Sequence, residues 1–108
     1  MRLAFENCEL DLERRELRRD GVVVHTRAKV FDILSYFVTN PDRALGRDEL
    51  LKHGWPDVTV SDATLSSCIR SVRVAIGDDA TNPRLIKTLR RQGFRFIAPV
   101  TYTDDAAR

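Results

Sequence analysis

The spacing of the apolar residues changes twice along this chain of 108 residues. Up to His25 they recur at or near every second position, which is typical of short β-strands. From Thr26 to Ile76 they follow a helical spacing, and between Leu85 and Ala98 the strand pattern returns. A small sheet with one apolar face needs another element to cover that face. The order therefore predicts a single α+β domain.

Two breaks divide the helical segment into three helices. The first helix is expected to begin at Arg27, with Thr26 as its cap, and to stop at Asn40-Pro41. The second is expected over about Arg47–His53. Gly54-Trp55-Pro56 then separates it from the third helix.

The third helix is expected to run from a Ser61 cap to Ile76, with two different faces. Its buried stripe consists of Leu65, Ile69, Val72 and Ile76. The other side carries small or polar residues and one arginine: Ala63, Thr64, Ser67, Arg70, Ser71 and Val74. Such a face suits the major groove of DNA, and it is equally typical of an ordinary amphipathic surface helix.

The hairpin that follows is strongly basic. Its strands are expected over Leu85–Leu89 and Phe94–Ala98, and Gly93 supplies the positive φ that the tight turn between them needs. Residues 84–95 carry five positive charges and no negative one, although the net charge of the whole chain is only +2. A local positive field attracts a polyanion, and it also occurs on solvated protein surfaces.

The order of these elements is that of a helix-turn-helix followed by a wing. We therefore predict a winged helix-turn-helix with an N-terminal antiparallel sheet (1–25), three helices (26–76) and a C-terminal β-hairpin wing (84–98). The third helix would enter the major groove, and the wing would reach the adjacent backbone or minor groove. The domain is expected to end at Pro99, with residues 100–108 as a tail or the start of a linker.

The sequence gives no support to a metal site or an enzyme. The thiol and imidazole side chains, Cys8, His25, His53 and Cys68, are separated by 17, 28 and 15 residues, which matches no paired metal motif. Two cysteines are too few for a disulfide framework, and no phosphate-binding glycine loop is present. We expect no cofactor and no catalytic activity. Because the chain has neither a signal peptide nor the ~18 apolar residues of a membrane span, we expect it in the cytoplasm.

Four motifs between Thr26 and Val100 carry a family resemblance: VFDILSYFVTNPDRALGRDELL, WPDVTVSDATLSSCIRSVR, GDD and PRLIKTLRRQGFRFIAPV. In these motifs the chain resembles the OmpR/PhoB-type winged-helix DNA-binding domain of bacterial transcriptional regulators. The resemblance implies sequence-specific binding of double-stranded DNA, with residues 61–76 as the recognition helix. We expect no receiver domain before the first strand, so the placement resembles the CadC-like arrangement, in which DNA binding is N-terminal and sensing lies downstream; a stand-alone small regulator is the alternative.

The resemblance also implies a set of site residues. The base-facing positions carry over to Ser67 and Ser71, with Cys68 adjoining them. The phosphate-contacting positions carry over to Thr64, Arg70, Arg73, Thr88, Arg90 and Arg91, with Arg95 as a further candidate. The loop after the second helix corresponds to a segment that can touch RNA polymerase in relatives. Here it contains His53, Trp55 and Asp57, and we interpret Trp55 mainly as a packing residue.

Two hypotheses about function remain open at this point. The first is a DNA-binding module that uses dimers or tandem sites, because Ser71 and Val74 stand where relatives commonly have Arg or Lys. The second is a winged-helix module for protein–protein contact, since a fold does not fix a function. The basic hairpin and the outward helix face without acids beyond its first turn favour the first hypothesis.

Overall fold

The computed structural model describes residues 1–103 and has the winged helix-turn-helix architecture that the sequence predicts. Its strands are β1 (Arg2–Phe5), β2 (Cys8–Asp11), β3 (Glu16–Arg19), β4 (Val22–Val24), β5 (Ile86–Leu89), β6 (Gly93–Phe96) and β7 (Thr101–Thr103). Its helices are α1 (Ala28–Thr39), α2 (Arg47–Gly54) and α3 (Asp62–Ile76). None of these helices is long and apolar enough to cross a lipid bilayer.

The N-terminal strands form the antiparallel meander that the alternating pattern predicts. The strand order is β4-β3-β2-β1-β7, and every pairing in the sheet is antiparallel. Asp20 and Gly21 both have positive φ, which allows the tight turn between β3 and β4. Leu3, Leu10 and Leu17 are fully or almost fully buried on one face, where the helices cover them.

The C-terminal end of the described chain returns to this sheet, contrary to expectation. Thr101–Thr103 forms β7 and pairs with β1, with Arg2 opposite Thr103. The prediction of a tail from residue 100 is therefore wrong for residues 101–103, while residues 104–108 lie outside the described part of the chain. Threonine and tyrosine have high strand propensity, and β7 pairs the backbone of β1 on the side away from β2.

Helix α1 begins one residue later than predicted. Arg27 is its N-cap in an extended conformation, without a side-chain cap, and its carbonyl accepts from the Phe31 N–H at 3.0 Å. Thr26 precedes this N-cap and caps nothing, so the predicted Thr26 cap is wrong. The helix buries six apolar side chains against both the sheet and α3: Val30, Phe31, Ile33, Leu34, Phe37 and Val38.

The other two helices match their predicted limits. Gly46 is the N-cap of α2, and Ser61 caps α3 by accepting from the Thr64 N–H at 3.3 Å. Gly77 ends α3 with a left-handed φ of 76°. All four residues of the predicted α3 stripe, Leu65, Ile69, Val72 and Ile76, are buried.

Substitution of Ile69 by alanine tests this stripe. The Ile69 side chain is 4% exposed, so Ile69→Ala should lower the free energy of unfolding by about 2–5 kcal/mol. Val74→Ala is the matched control on the same helix, because Val74 is 71% exposed and should cost less than about 0.5 kcal/mol. Urea denaturation followed by circular dichroism measures both, and equal losses would contradict the placement of α3.

Candidate nucleic-acid interface

Helix α3 presents one whole face to solvent. Its exposed residues include Ala63, Thr64, Ser67, Arg70, Ser71 and Val74, as the sequence predicts. Asp62 is acidic, but it lies in the first turn and its carboxylate is 3.6 Å from the Arg47 guanidinium. Beyond that turn the face carries only the positive charge of Arg70, so nothing on it repels a polyanion.

Both ends of α3 are attached to neighbouring elements. At the N-terminal end, Arg47 of α2 donates to the Asp62 carbonyl at 3.1 Å and to Ser66 Oγ at 2.9 Å. At the C-terminal end, Arg19 of β3 donates to the carbonyls of Val74 and Ala75 at 3.1 and 3.2 Å. The orientation of α3 is thus fixed by α2 and by the N-terminal sheet. A helix that recognises a ligand needs such a fixed orientation.

Cys68 does not lie on the exposed face. It is 7% exposed, and its Sγ lies 3.7 Å from the Lys29 carbonyl of α1. Position 68 is three residues after Leu65 and four before Val72, so it belongs to the buried side of the helix. Burial raises the pKa of the Cys68 thiol to about 11, which keeps it protonated at neutral pH. Cys68 thus lies on the side of α3 that faces the core, and its place in the DNA interface stays a prediction.

Arg73 is also buried, at 7% exposure, and a direct contact of its side chain with a phosphate stays a prediction. Its Nη1 donates to Asp78 Oδ2 at 2.9 Å and to the Ile86 carbonyl at 2.6 Å. Its Nη2 donates to Thr88 Oγ1 at 3.1 Å. The guanidinium therefore connects α3 to the first strand of the wing.

The carboxylate of Asp78 completes this connection. Its side chain is fully buried, and it accepts from the backbone N–H groups of Arg84, Leu85 and Ile86 at 2.9, 3.1 and 2.9 Å. A buried carboxylate with this many donors and a guanidinium partner is well compensated. The start of β5 is thus built around Asp78, directly beside the C-terminal end of α3.

Strands β5 and β6 form the predicted wing, and Leu45 extends it on the inner side. Leu45 and Phe94 exchange backbone hydrogen bonds of 2.7 and 3.0 Å. Arg90 and Arg91 lie exposed at the tip, where Arg91 has a φ of 65°. Gly93 has the predicted positive φ, at 105°, and begins β6.

Four basic side chains of α3 and the wing are exposed without an acidic partner within residues 1–103: Arg70, Lys87, Arg90 and Arg91. Three others are engaged: Arg73 pairs with Asp78 at 2.9 Å, Arg84 pairs with Glu6 at 2.9 Å, and Arg95 lies 3.8 Å from Asp42. The positive field that the sequence predicts is therefore concentrated at the wing tip and on the outward face of α3.

One basic residue beside this face was not among the predicted site residues. Arg27, exposed at the N-cap of α1, lines a groove together with His25, Arg70, Ser71 and Val74. The first turn of α1 contains no acid, so the positive end of the helix dipole is not balanced there. That local charge imbalance was visible in the sequence and would have singled out Arg27.

The segment from the last turn of α2 into the following loop has an exposed and a packed part, and His53 lies in α2 instead of in the loop. Trp55 is half-buried against the core, and the Lys29 ammonium lies 5.8 Å from the centroid of its ring. His53 stacks on Tyr36 with ring centroids 4.1 Å apart, while Asp57 is exposed. The interpretation of Trp55 mainly as a packing residue agrees with this geometry.

Comparison with known proteins identifies relatives over most of the chain. A family model described as "Transcriptional regulatory protein, C terminal" matches residues 21–96. The phosphate regulon transcriptional regulatory protein PhoB of Klebsiella pneumoniae is 38% identical over 69 residues, which are 63% of this chain and 30% of PhoB. The transcriptional activator CadC of Escherichia coli is 25% identical over 88 residues, 81% of this chain and 17% of CadC. The chain thus spans under a third of these two relatives.

Comparison with solved structures also identifies proteins that are similar over most of the chain. The DNA-binding domain of RstA from Klebsiella pneumoniae, solved in complex with the RstA box, is 30% identical with a TM-score of 0.79, covering 89% of this chain and 96% of that one. The DNA-binding domain of CadC from Escherichia coli has a TM-score of 0.81 at 19% identity, with coverages of 94% and 96%, and shows the shared fold. The family match, the identity to RstA and the arrangement of α2, α3 and the wing all agree: the chain belongs to the OmpR/PhoB family of transcriptional regulators, as its winged-helix domain.

Proposed function

We propose that this domain binds double-stranded DNA in a sequence-specific way, as the output domain of a bacterial transcriptional regulator. Helix α3 enters the major groove, and the wing contacts the adjacent backbone or minor groove. The observation that carries the proposal is a pair of surfaces: the face of α3 beyond its first turn, which lacks acids, and the basic wing tip without acidic partners within residues 1–103, on a hairpin that the Arg73–Thr88 hydrogen bond joins to α3. The related DNA-binding domain of RstA is solved in complex with the RstA box, which supports DNA binding by this domain.

The side chains divide into two roles. Ser67 and Ser71 are exposed on the middle of α3 and face the bases. The exposed residues Thr64, Arg70, Thr88, Arg90 and Arg91 contact phosphates, with the half-exposed Arg95 at the margin. Arg27 extends the same surface beyond α3.

Protein–protein contact through α3 is the weaker hypothesis. It would require an apolar patch on the outward face, and Val74 is the only large exposed apolar residue of this helix. The other large exposed apolar residues of the described chain, Met1, Val22, Val58 and Tyr102, lie on other elements. Scattered single residues of this kind are ordinary on protein surfaces.

Selection of bound sites from random duplex DNA tests the proposal. The affinity for the selected duplex is then measured as a function of salt concentration. Four exposed basic side chains without partners give a slope of log affinity against log salt of about −3 to −4 per monomer. No enrichment of any sequence at about 50 mM salt, or an affinity independent of salt, would overturn the proposal.

Base reading by α3 is tested separately. Ser67→Ala and Ser71→Ala should each weaken binding by about 1 kcal/mol and alter the preference at one or two base pairs. Thr101→Ala is the control, because it also removes an exposed hydroxyl but lies on β7, outside α3 and the wing. Repeating the selection with each variant gives the result, and preferences identical to the wild type in both Ser67→Ala and Ser71→Ala would mean that α3 does not read the bases.

Three further partners belong to this proposal. The segment for contact with RNA polymerase runs from His53, exposed in the last turn of α2, to Asp57, exposed in the following loop, beside the packed Trp55. The outward face of α3 has a single charge, so stable occupancy requires dimers or tandem sites. Where this chain is a fragment of a longer regulator, we propose that a sensor domain lies downstream, and that the domain acts in the cytoplasm by binding alone, without catalysis.

A further inference from the structure

The hydroxyl of Thr88 has only one direction in which it can donate. Its Oγ1 accepts from Arg73 Nη2 at 3.1 Å. A guanidinium has donors and no acceptor, so the Thr88 proton cannot turn toward Arg73. Within residues 1–103 no other atom accepts it, and Thr88 is exposed. The proton therefore points to the solvent side of the wing, where a ligand would lie.

Arg73 cannot turn away from this contact. Its Nη1 is held by Asp78 and by the Ile86 carbonyl, and the whole side chain is buried. Ile86 and Thr88 are two residues apart on β5, so both face the same side of the hairpin, toward α3.

We propose that Arg73 is a positioning residue that acts on DNA through Thr88. Arg73 makes the Thr88 hydroxyl an obligate donor to a backbone phosphate and strengthens that hydrogen bond by polarising the hydroxyl. The inference rests on the proposed binding of duplex DNA. Arg73 thus contributes to phosphate recognition from a buried position, through one intervening oxygen.

A purely structural role for Arg73 has different consequences. If Arg73 only held the wing in place, its replacement would weaken every contact of the wing and leave the importance of the Thr88 hydroxyl unchanged. The positioning role couples Arg73 specifically to Thr88. A double-mutant cycle on DNA affinity separates the two roles.

The cycle uses Thr88→Val, which removes the hydroxyl at nearly constant shape, and Arg73→Lys, which keeps the charge opposite Asp78. A lysine ammonium is a compact donor without the fork that lets arginine reach Asp78 and Thr88 together. Thr88→Val should reduce affinity for the selected duplex about tenfold in the wild-type background and no more than about threefold in the Arg73→Lys background.

Thr64→Val is the matched control, because Thr64 is exposed at the other end of α3 and its hydroxyl lies beside Ser61 instead of Arg73. It should cause the same loss in both backgrounds. Equal losses from Thr88→Val in both backgrounds would overturn the inference. If Arg73→Lys is unfolded by circular dichroism, the double variant Arg73→Gln with Asp78→Asn, which replaces the ion pair by two amides, takes its place in the cycle.

Nuclear magnetic resonance of the free protein tests the hydrogen bond without DNA. Thr88→Val should shift the side-chain NH resonances of Arg73, and Thr64→Val should not. If the chemical shifts of the Arg73 side-chain NH groups are unchanged in Thr88→Val, the inference is overturned even if the wild type binds DNA. A wild type that binds no duplex would instead overturn the proposed function, and with it the phosphate contact, whatever the Arg73 resonances show.

Discussion

Replacing Gly93 by alanine is expected to lower the free energy of unfolding by about 3–5 kcal/mol. A Cβ at position 93 would lie 2.0 Å from the Leu45 carbonyl oxygen and 2.9 Å from Gly46 Cα. That carbonyl accepts the Phe94 N–H at 3.0 Å, so it cannot retreat without breaking the bridge between Leu45 and the wing. The backbone φ of 105° at Gly93 is a second source of strain, because residues other than glycine rarely adopt this conformation.

Gly21→Ala is the matched control for this prediction. Gly21 also has a positive φ, of 78°, but nothing lies within 4 Å of the position that an alanine Cβ would take there. It should therefore cost only the backbone strain, about 1 kcal/mol. Urea denaturation measures both variants, and the difference between them isolates the overlap with Leu45. A loss for Gly93→Ala no greater than that for Gly21→Ala would contradict the close approach of β6 to Leu45.

The elements that the sequence predicts well are those whose signals are local. The Ser61 cap, the Gly77 end and the four-residue stripe around Leu65 and Ile69 define α3 without reference to any other part of the chain. The turn at Gly93 is equally local, since a positive φ is a property of that residue in a hairpin. The outward face of α3 follows from the same periodicity that predicts its buried face.

The features that the sequence could not predict depend on distant partners. Strand β7 exists because Thr101–Thr103 meets β1, about a hundred residues away, and three residues carry no strong pattern by themselves. Arg73 lies about 80° round the helix from Leu65, at the border between the buried and exposed sides. Asp78 and the Ile86 carbonyl draw its side chain inward, and neither partner can be recognised from the helix alone.

The double substitution Arg90→Ala with Arg91→Ala is expected to weaken binding to a specific and a scrambled duplex by a similar factor, about tenfold at ~0.1 M salt. Both residues are exposed at the wing tip and have no acidic partner among residues 1–103, so they are free to meet phosphates or a narrow minor groove. The slope of log affinity against log salt should become shallower by about 1–2, which is roughly one per lost phosphate contact.

Thermal stability should barely change in this double variant, because exposed charges without partners contribute little to folding. Arg14→Ala is the control for the loss of positive charge itself, since the Arg14 side chain is 77% exposed in the turn between β2 and β3, outside α3 and the wing. Arg14→Ala should leave the slope of log affinity against log salt unchanged.

The prediction is tested by salt titrations of the wild type and both variants on the specific and the scrambled duplex. An unchanged affinity and slope in the double variant would mean that the wing tip faces away from DNA, and would favour the protein-contact hypothesis, because the positive field at the tip would then need another partner.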